Sequence, residues 1–226
     1  MTLTYTWLGH GTSRLSIGGF SLVVDPFFVD NPAASMTVDQ VAADFILVSH
    51  GHYDHVQDVD PLAKRTSALV ISNPEIAAWF AAKGLKTQGQ PIGAERQHSF
   101  GHLTLTKAEH GSKLPDETSG GNAAGLLIVA EGKKIYLACD TALFADMQLI
   151  GEEGLDLAVL PIGGHYTMGP DDALKAVKLL EPKHVIPVHY STWDVIKQDA
   201  QAWAQSVEKE TETKAHVLQP GESLTI

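Results

Sequence analysis

Three histidines and an aspartate fall within six positions of FILVSHGHYDHV, residues 45–56, directly behind an apolar run. Imidazole nitrogens and carboxylate oxygens are ordinary protein ligands for divalent transition metals. In an extended segment alternate residues share a face, so His50 and His52 can converge on one ion. If the chain then turns into a helix, Asp54 and His55 become neighbours aimed elsewhere, and one short loop feeds two ions. Further ligand types close three later strand-like runs: His110 ends LTKAEH, Asp140 ends KIYLACD and His189 ends HVIPVH. Such strand ends are where open α/β sheets build their sites.

The elements that must position these groups are read from period and punctuation. LTYTWL, SRLSI and FSLVVD have strand composition and are separated by Gly-rich turns. ADFILVSH and ALVIS read as buried strands. Asn73 caps and Pro74 opens a helix that closes on Gly84. HLTLTKAEH alternates again, and residues 111–125 are loop chemistry throughout, long enough to suggest a functional loop. LLIVAEGKKIYLACD predicts a hairpin turning at Glu131-Gly132. The last third predicts a strand in LDLAVLPI, a helix from Pro170, a strand in HVIPVHY, a helix over about 194–209 and short strands near 215–218 and 223–226. With no repeat, linker or low-complexity segment, residues 1–226 read as one α/β domain.

Sixteen basic against 27 acidic residues leave a net charge of −11, the opposite of the basic stripe that nucleic-acid binding demands. A small-molecule substrate is the expectation, with nucleic acid disfavoured. The single cysteine allows neither an internal disulfide nor a cysteine-based zinc finger. The N-terminus lacks the pattern of a signal peptide, and the apolar runs are too short to span a bilayer. A cytoplasmic protein without a membrane partner is the expectation.

The pattern His50-x-His52-x-Asp54-His55, with His110, Asp140 and His189 after it, resembles the metallo-β-lactamase superfamily. TWLGHGTSRLSIGGFSLVVDPF, PIGGHYTMGP and PVHYSTW are similar to small bacterial metal-dependent hydrolases akin to ascorbate-phosphate lactonase, and the likeness runs over essentially the whole chain. It implies an α/β fold of the αββα four-layer sandwich type, two mixed sheets flanked by helices. It also implies a dinuclear site: His50, His52 and His110 on one ion, Asp54, His55 and His189 on the second, and Asp140 bridging both. Asp25, in VVDPF, would be an outer group that orients a ligand histidine. Cys139 is expected in core packing.

Two ions so held would generate a bridging hydroxide and polarise the oxygen under attack, cleaving an ester, lactone or phosphoester of a small metabolite. Zinc suits the nitrogen-rich set first, with manganese or iron compatible. Asp54 is the candidate to orient the nucleophile and take its proton. His10 and His165, on Gly-rich turns, are candidates to bind substrate oxygen or protonate a leaving group. His52 separates the chain from diiron oxygen-reducing relatives, which carry a carboxylate there. The competing readings are a phosphodiesterase or nuclease, and a metal-binding protein without turnover.

Overall fold

The computed structural model describes residues 3–226. Two seven-stranded sheets face each other. The first takes β1 (Thr4–Gly9), β2 (Thr12–Ile17), β3 (Phe20–Val24), β4 (Phe45–Leu47), β5 (Leu69–Ser72), β6 (Thr87–Gly89) and β14 (Ser223–Thr225), in the order β14-β1-β2-β3-β4-β5-β6. The second takes β7 (Glu95–His98), β8 (Gly101–Lys107), β9 (Ala124–Ala130), β10 (Lys133–Leu137), β11 (Leu157–Pro161), β12 (His184–Val188) and β13 (Lys214–Ala215), in the order β13-β12-β11-β10-β9-β8-β7. Each sheet is mixed. Pairing is antiparallel from β14 to β3 and parallel from β3 to β6; it is parallel from β13 to β10 and antiparallel from β10 to β7.

Period-two alternation divides each central strand between two cores. Phe45 and Leu47 enter the inter-sheet core while Ile46 turns outward; Ile135 and Leu137 enter it while Tyr136 turns outward. The outward face of the first sheet packs under α2 (Val59–Thr66) and α3 (Pro74–Ala81), through Leu62, Ile76 and Phe80. The outward face of the second packs under α5 (Pro170–Leu180) and α6 (Ala200–Glu210), through Val177, Leu180, Trp203 and Val207. Helix on sheet on sheet on helix gives the four layers expected. Two shorter helices, α1 (Tyr53–Val56) and α4 (Met147–Gly151), complete the set.

Local expectations hold at the punctuated positions. Asn73 Oδ1 accepts from the Ile76 amide, capping α3 behind Pro74. Glu131 and Gly132 both adopt positive φ between β9 and β10, as a two-residue hairpin of the primed type needs. The helix expected over 194–209 is divided: a 3-10 turn spans Asp194–Ile196, and α6 begins only at Ala200. Asp199 is the physical reason, since its carboxylate accepts from the Ala202 amide and starts a new helix there.

Strand direction governs the site. β1, β3, β4, β8, β10, β11 and β12 run toward the same edge of the sandwich, and beyond their C-terminal ends the chain carries His10, Asp25, His50–His55, His110, Asp140, His165 and His189 in turn. Topology alone therefore gathers residues far apart in sequence.

Candidate metal centre

At that edge the Asp140 carboxylate is the hub. Its Oδ2 lies 3.1 Å from His189 Nε2, 3.4 Å from His55 Nε2, 3.6 Å from His110 Nε2 and 3.9 Å from His50 Nε2. On one side His52 Nδ1 is 3.0 Å from His50 Nε2 and 3.2 Å from His110 Nε2. On the other, Asp54 Oδ2 is 3.5 Å from His55 Nε2 and 3.8 Å from His189 Nε2. Donor atoms of His50, His52 and His110 lie within 4.8 Å of one another, as do those of His10, Asp54, His55 and His189. The loop separates as the spacing suggested: His52 ends the extended stretch, and α1 turns Asp54 and His55 the other way.

These groups fit divalent cations. The Nε2 of His55 and both ring nitrogens of His189 are buried without a hydrogen-bond partner, although carboxylate oxygens stand nearby. Buried polar atoms normally pair. A cation among the clustered donor atoms would give His55 Nε2 and one nitrogen of His189 the partner they lack.

Titration has the same division. Burial pushes the His50 imidazole well below its ordinary value and lowers His52 and His110 too, leaving three neutral donors. Burial acts in that direction on His55 and His189, but the adjacent carboxylates, Asp140 foremost, outweigh it; His55 is held well above the usual range and His189 is raised to about 9. Burial would raise Asp140 and Asp54; His189 and His55 reverse that for Asp140, and His55 with His10 for Asp54, so both carboxyls stay well below the usual range.

Outer contacts hold the rings of the candidate ligands. Asp25 Oδ2 accepts from His55 Nδ1 at 2.9 Å and from the Ser49 hydroxyl at 2.6 Å, while its Oδ1 accepts from the Ser49 amide. Ser49 Oγ stands 2.9 Å from His50 Nδ1, so one carboxylate serves histidines of both clusters. His10 lies behind Asp54 and is fully buried, its Nε2 2.9 Å from Asp54 Oδ2 and its Nδ1 2.8 Å from Thr192 Oγ1. A neutral ring donating to the carboxylate and accepting from the hydroxyl satisfies both contacts. Burial, then the neighbouring His189, pushes this histidine down to about 4. Loop 111–125 braces the ligand loop: the Gly51 amide donates to Ser112 Oγ, and the Ala124 amide to the Ser49 carbonyl.

Backbone conformation marks the same edge. His10, Asp25, Cys139, His165 and His189 all have positive φ, between 47° and 56°. Non-glycine residues held in this region cost about 1–3 kcal/mol each and cluster at functional sites. Gly11 adds a spatial requirement, since a Cβ there would stand 2.9 Å from His55 Cε1.

Above the ligands opens a cleft of about 400 Å³, floored by His52, Asp54, His110, Asp140 and His189. Its walls are Tyr53, Tyr166 and Trp193, which sequence reasoning missed because aromatic residues from three separate segments share no spacing. His165 itself is exposed, its ring edge-on to Tyr166, and does not line the cleft. Cys139 packs against the inter-sheet core, as alternation suggested. Lys113 pairs with Glu117 in the long loop, and His98, His102, His184 and His216 make contacts elsewhere.

Comparison with known proteins agrees with this architecture. Residues 19–190 match the beta-lactamase superfamily domain. The chain is 46% identical over 220 residues to a UPF0173 metal-dependent hydrolase of Thermus thermophilus, covering 97% of each chain. It is 44% identical over 232 residues to a UPF0173 metal-dependent hydrolase of Heliobacterium modesticaldum, covering 99% of this chain and 98% of the other. Among solved structures it is similar to Igni18, a metallo hydrolase from the archaeon Ignicoccus hospitalis, with 36% identity and a TM-score of 0.92 over 100% of this chain and 99% of that one. Strand direction, a convergent set of histidines and carboxylates, and these likenesses lead to one conclusion: the chain belongs to the UPF0173 metal-dependent hydrolases of the metallo-β-lactamase superfamily.

Proposed function

We propose that the chain uses two divalent metal ions, zinc first, to hydrolyse an ester, lactone or phosphoester bond of a small metabolite. His50, His52 and His110 would hold one ion, Asp54, His55 and His189 the other, with Asp140 reaching both. The observation that carries this reading is the Asp140 carboxylate, whose Oδ2 stands within 3.9 Å of ring nitrogens from four histidines. Manganese or iron would suit the same mixed donor set.

When bound, the ions would supply Lewis acidity and bring solvent deprotonation into the neutral range. The remaining work belongs to the chain. Asp54, its side chain 20% exposed at the cleft floor, orients the attacking water and takes up its proton. His10 is a positioning residue: it fixes Asp54 Oδ2 from the buried side and touches no substrate. Asp25 fixes the tautomer of His55, and through Ser49 that of His50. The cleft suits a small molecule, its volume falling within the range usual for such sites.

Elemental analysis of the protein as purified and after zinc or manganese loading, combined with hydrolysis of p-nitrophenyl esters, lactones and bis-p-nitrophenyl phosphate, tests the proposal. Two ions per chain and turnover that a chelator abolishes are expected. Two ions with silence across all substrates would instead favour a binding protein without turnover.

A further inference from the structure

The walls of the cleft narrow its substrate. Beyond the ligand set, Tyr53, Tyr166 and Trp193 are what a bound molecule meets. Among the described residues, no lysine or arginine lines the cleft. Tyr53 is 48% exposed and Tyr166 is 52% exposed. Grouped exposed apolar side chains of this kind mark binding surfaces.

Two of these walls are held in advance. Phe27, almost fully buried, meets Tyr53 edge-on at 5.9 Å and Trp193 at 6.3 Å, and Trp193 also packs on His10 at 4.7 Å. Rings fixed before binding offer flat apolar area with little ordering left to lose. Asp30 accepts from the Tyr53 hydroxyl, Asp194 follows Trp193 in the chain, and His165 stands edge-on to Tyr166, on a chain of net charge −11. A ligand group projecting from the metal centre toward the mouth therefore meets rings and negative charge.

We infer that the cleft selects an uncharged ester or lactone bearing an aromatic or similarly flat apolar group, and disfavours molecules with a negative charge away from the bond that is cut. This deepens the hydrolase reading above and rests on it. In the reaction, the oxygen of water bonds to the acyl carbon and the acyl C–O bond breaks. One water proton passes to the leaving oxygen, and the other is released as the product acid ionises.

The test uses the metal-loaded full chain with matched esters, phenyl acetate and 4-acetoxybenzenesulfonate, whose sulfonate is a weak metal ligand. Corrected for their spontaneous hydrolysis, kcat/KM should favour the neutral ester by roughly tenfold or more, the scale a mismatched pocket imposes. Tyr166→Ala, at an exposed position, should raise KM for phenyl acetate more than it lowers kcat. Binding is read separately: benzamide should quench tryptophan emission more strongly than 4-carbamoylbenzenesulfonate, and the quench should vanish in Trp193→Phe. Equal or better turnover or binding of the sulfonates overturns the inference, as does a Tyr166→Ala variant with unmoved KM. Absence of turnover for both esters and across the lactone and phosphoester panel above, with benzamide still preferred, would remove the hydrolase reading and support the selectivity.

Discussion

His10 and Asp54, 44 positions apart in the chain, meet at 2.9 Å through imidazole Nε2 and carboxylate Oδ2. That contact sets the second cluster, because the same Oδ2 faces His55 and His189. His10→Ala should free the Asp54 carboxylate to rotate. Loss of such an outer partner typically costs about 10–100-fold in metal affinity or activity. Competition with a chromogenic zinc chelator, alongside kcat, measures it; wild-type affinity and rate together would remove the positioning role.

Metal uptake should release protons. In the metal-free chain the neighbouring carboxylates, Asp140 first, overcome burial and raise His189 to about 9, with His55 raised as well. Both carry protons near neutrality, and a cation must displace them. Because both folded values lie above the unfolded 6.5, their contribution to the stability of the metal-free protein is full below 6.5; the His189 share is lost as pH rises through about 9. Calorimetric zinc titrations in buffers of different ionisation enthalpy should show proton release near pH ~7 whose His189 share falls away toward pH ~9. Uptake without release would contradict the pairing.

Asn73 joins helix to loop. Its Oδ1 caps α3, and its Nδ2 donates to the carbonyls of Gly120 at 2.6 Å and Asn122 at 2.9 Å. Asn73→Ala removes the cap and leaves two carbonyls short of a donor, a loss of about 1–3 kcal/mol. Urea unfolding of the metal-free protein reads this as a lower midpoint with an unchanged slope.

His165 gives a contrasting case. Because its side chain is exposed outside the cleft lining, His165→Ala should change kcat by less than about twofold, in line with surface substitutions generally. A fall of two orders of magnitude would restore it to the chemistry as proton donor.

The features legible in the sequence were local or carried by direction. The His50–His55 cluster announces itself in six residues, and Glu131-Gly132 and Asn73-Pro74 are punctuation that a chain reads only one way. Asp140 and His189 were visible as polar ends of apolar strands. Strands β6 and β7, short and polar, and helix α4, five residues long, are too brief for a sequence period to mark them. The 194–209 stretch kept helical composition across a break that only the Asp199 cap reveals. Tyr53, Tyr166 and Trp193 become neighbours through tertiary packing alone, so no spacing could have announced them.

Each candidate cluster draws on both sheets: His50 and His52 come after β4 while His110 comes after β8, and Asp54 and His55 come after β4 while His189 comes after β12. A cation in either cluster would thereby be a rivet through the sandwich, adding to the apolar contact and the few hydrogen bonds that already join the layers. Stripping metal from the loaded protein with a chelator should make the two halves peel apart sooner on heating, seen as a lower melting temperature and as faster amide exchange in β4 and β12 together.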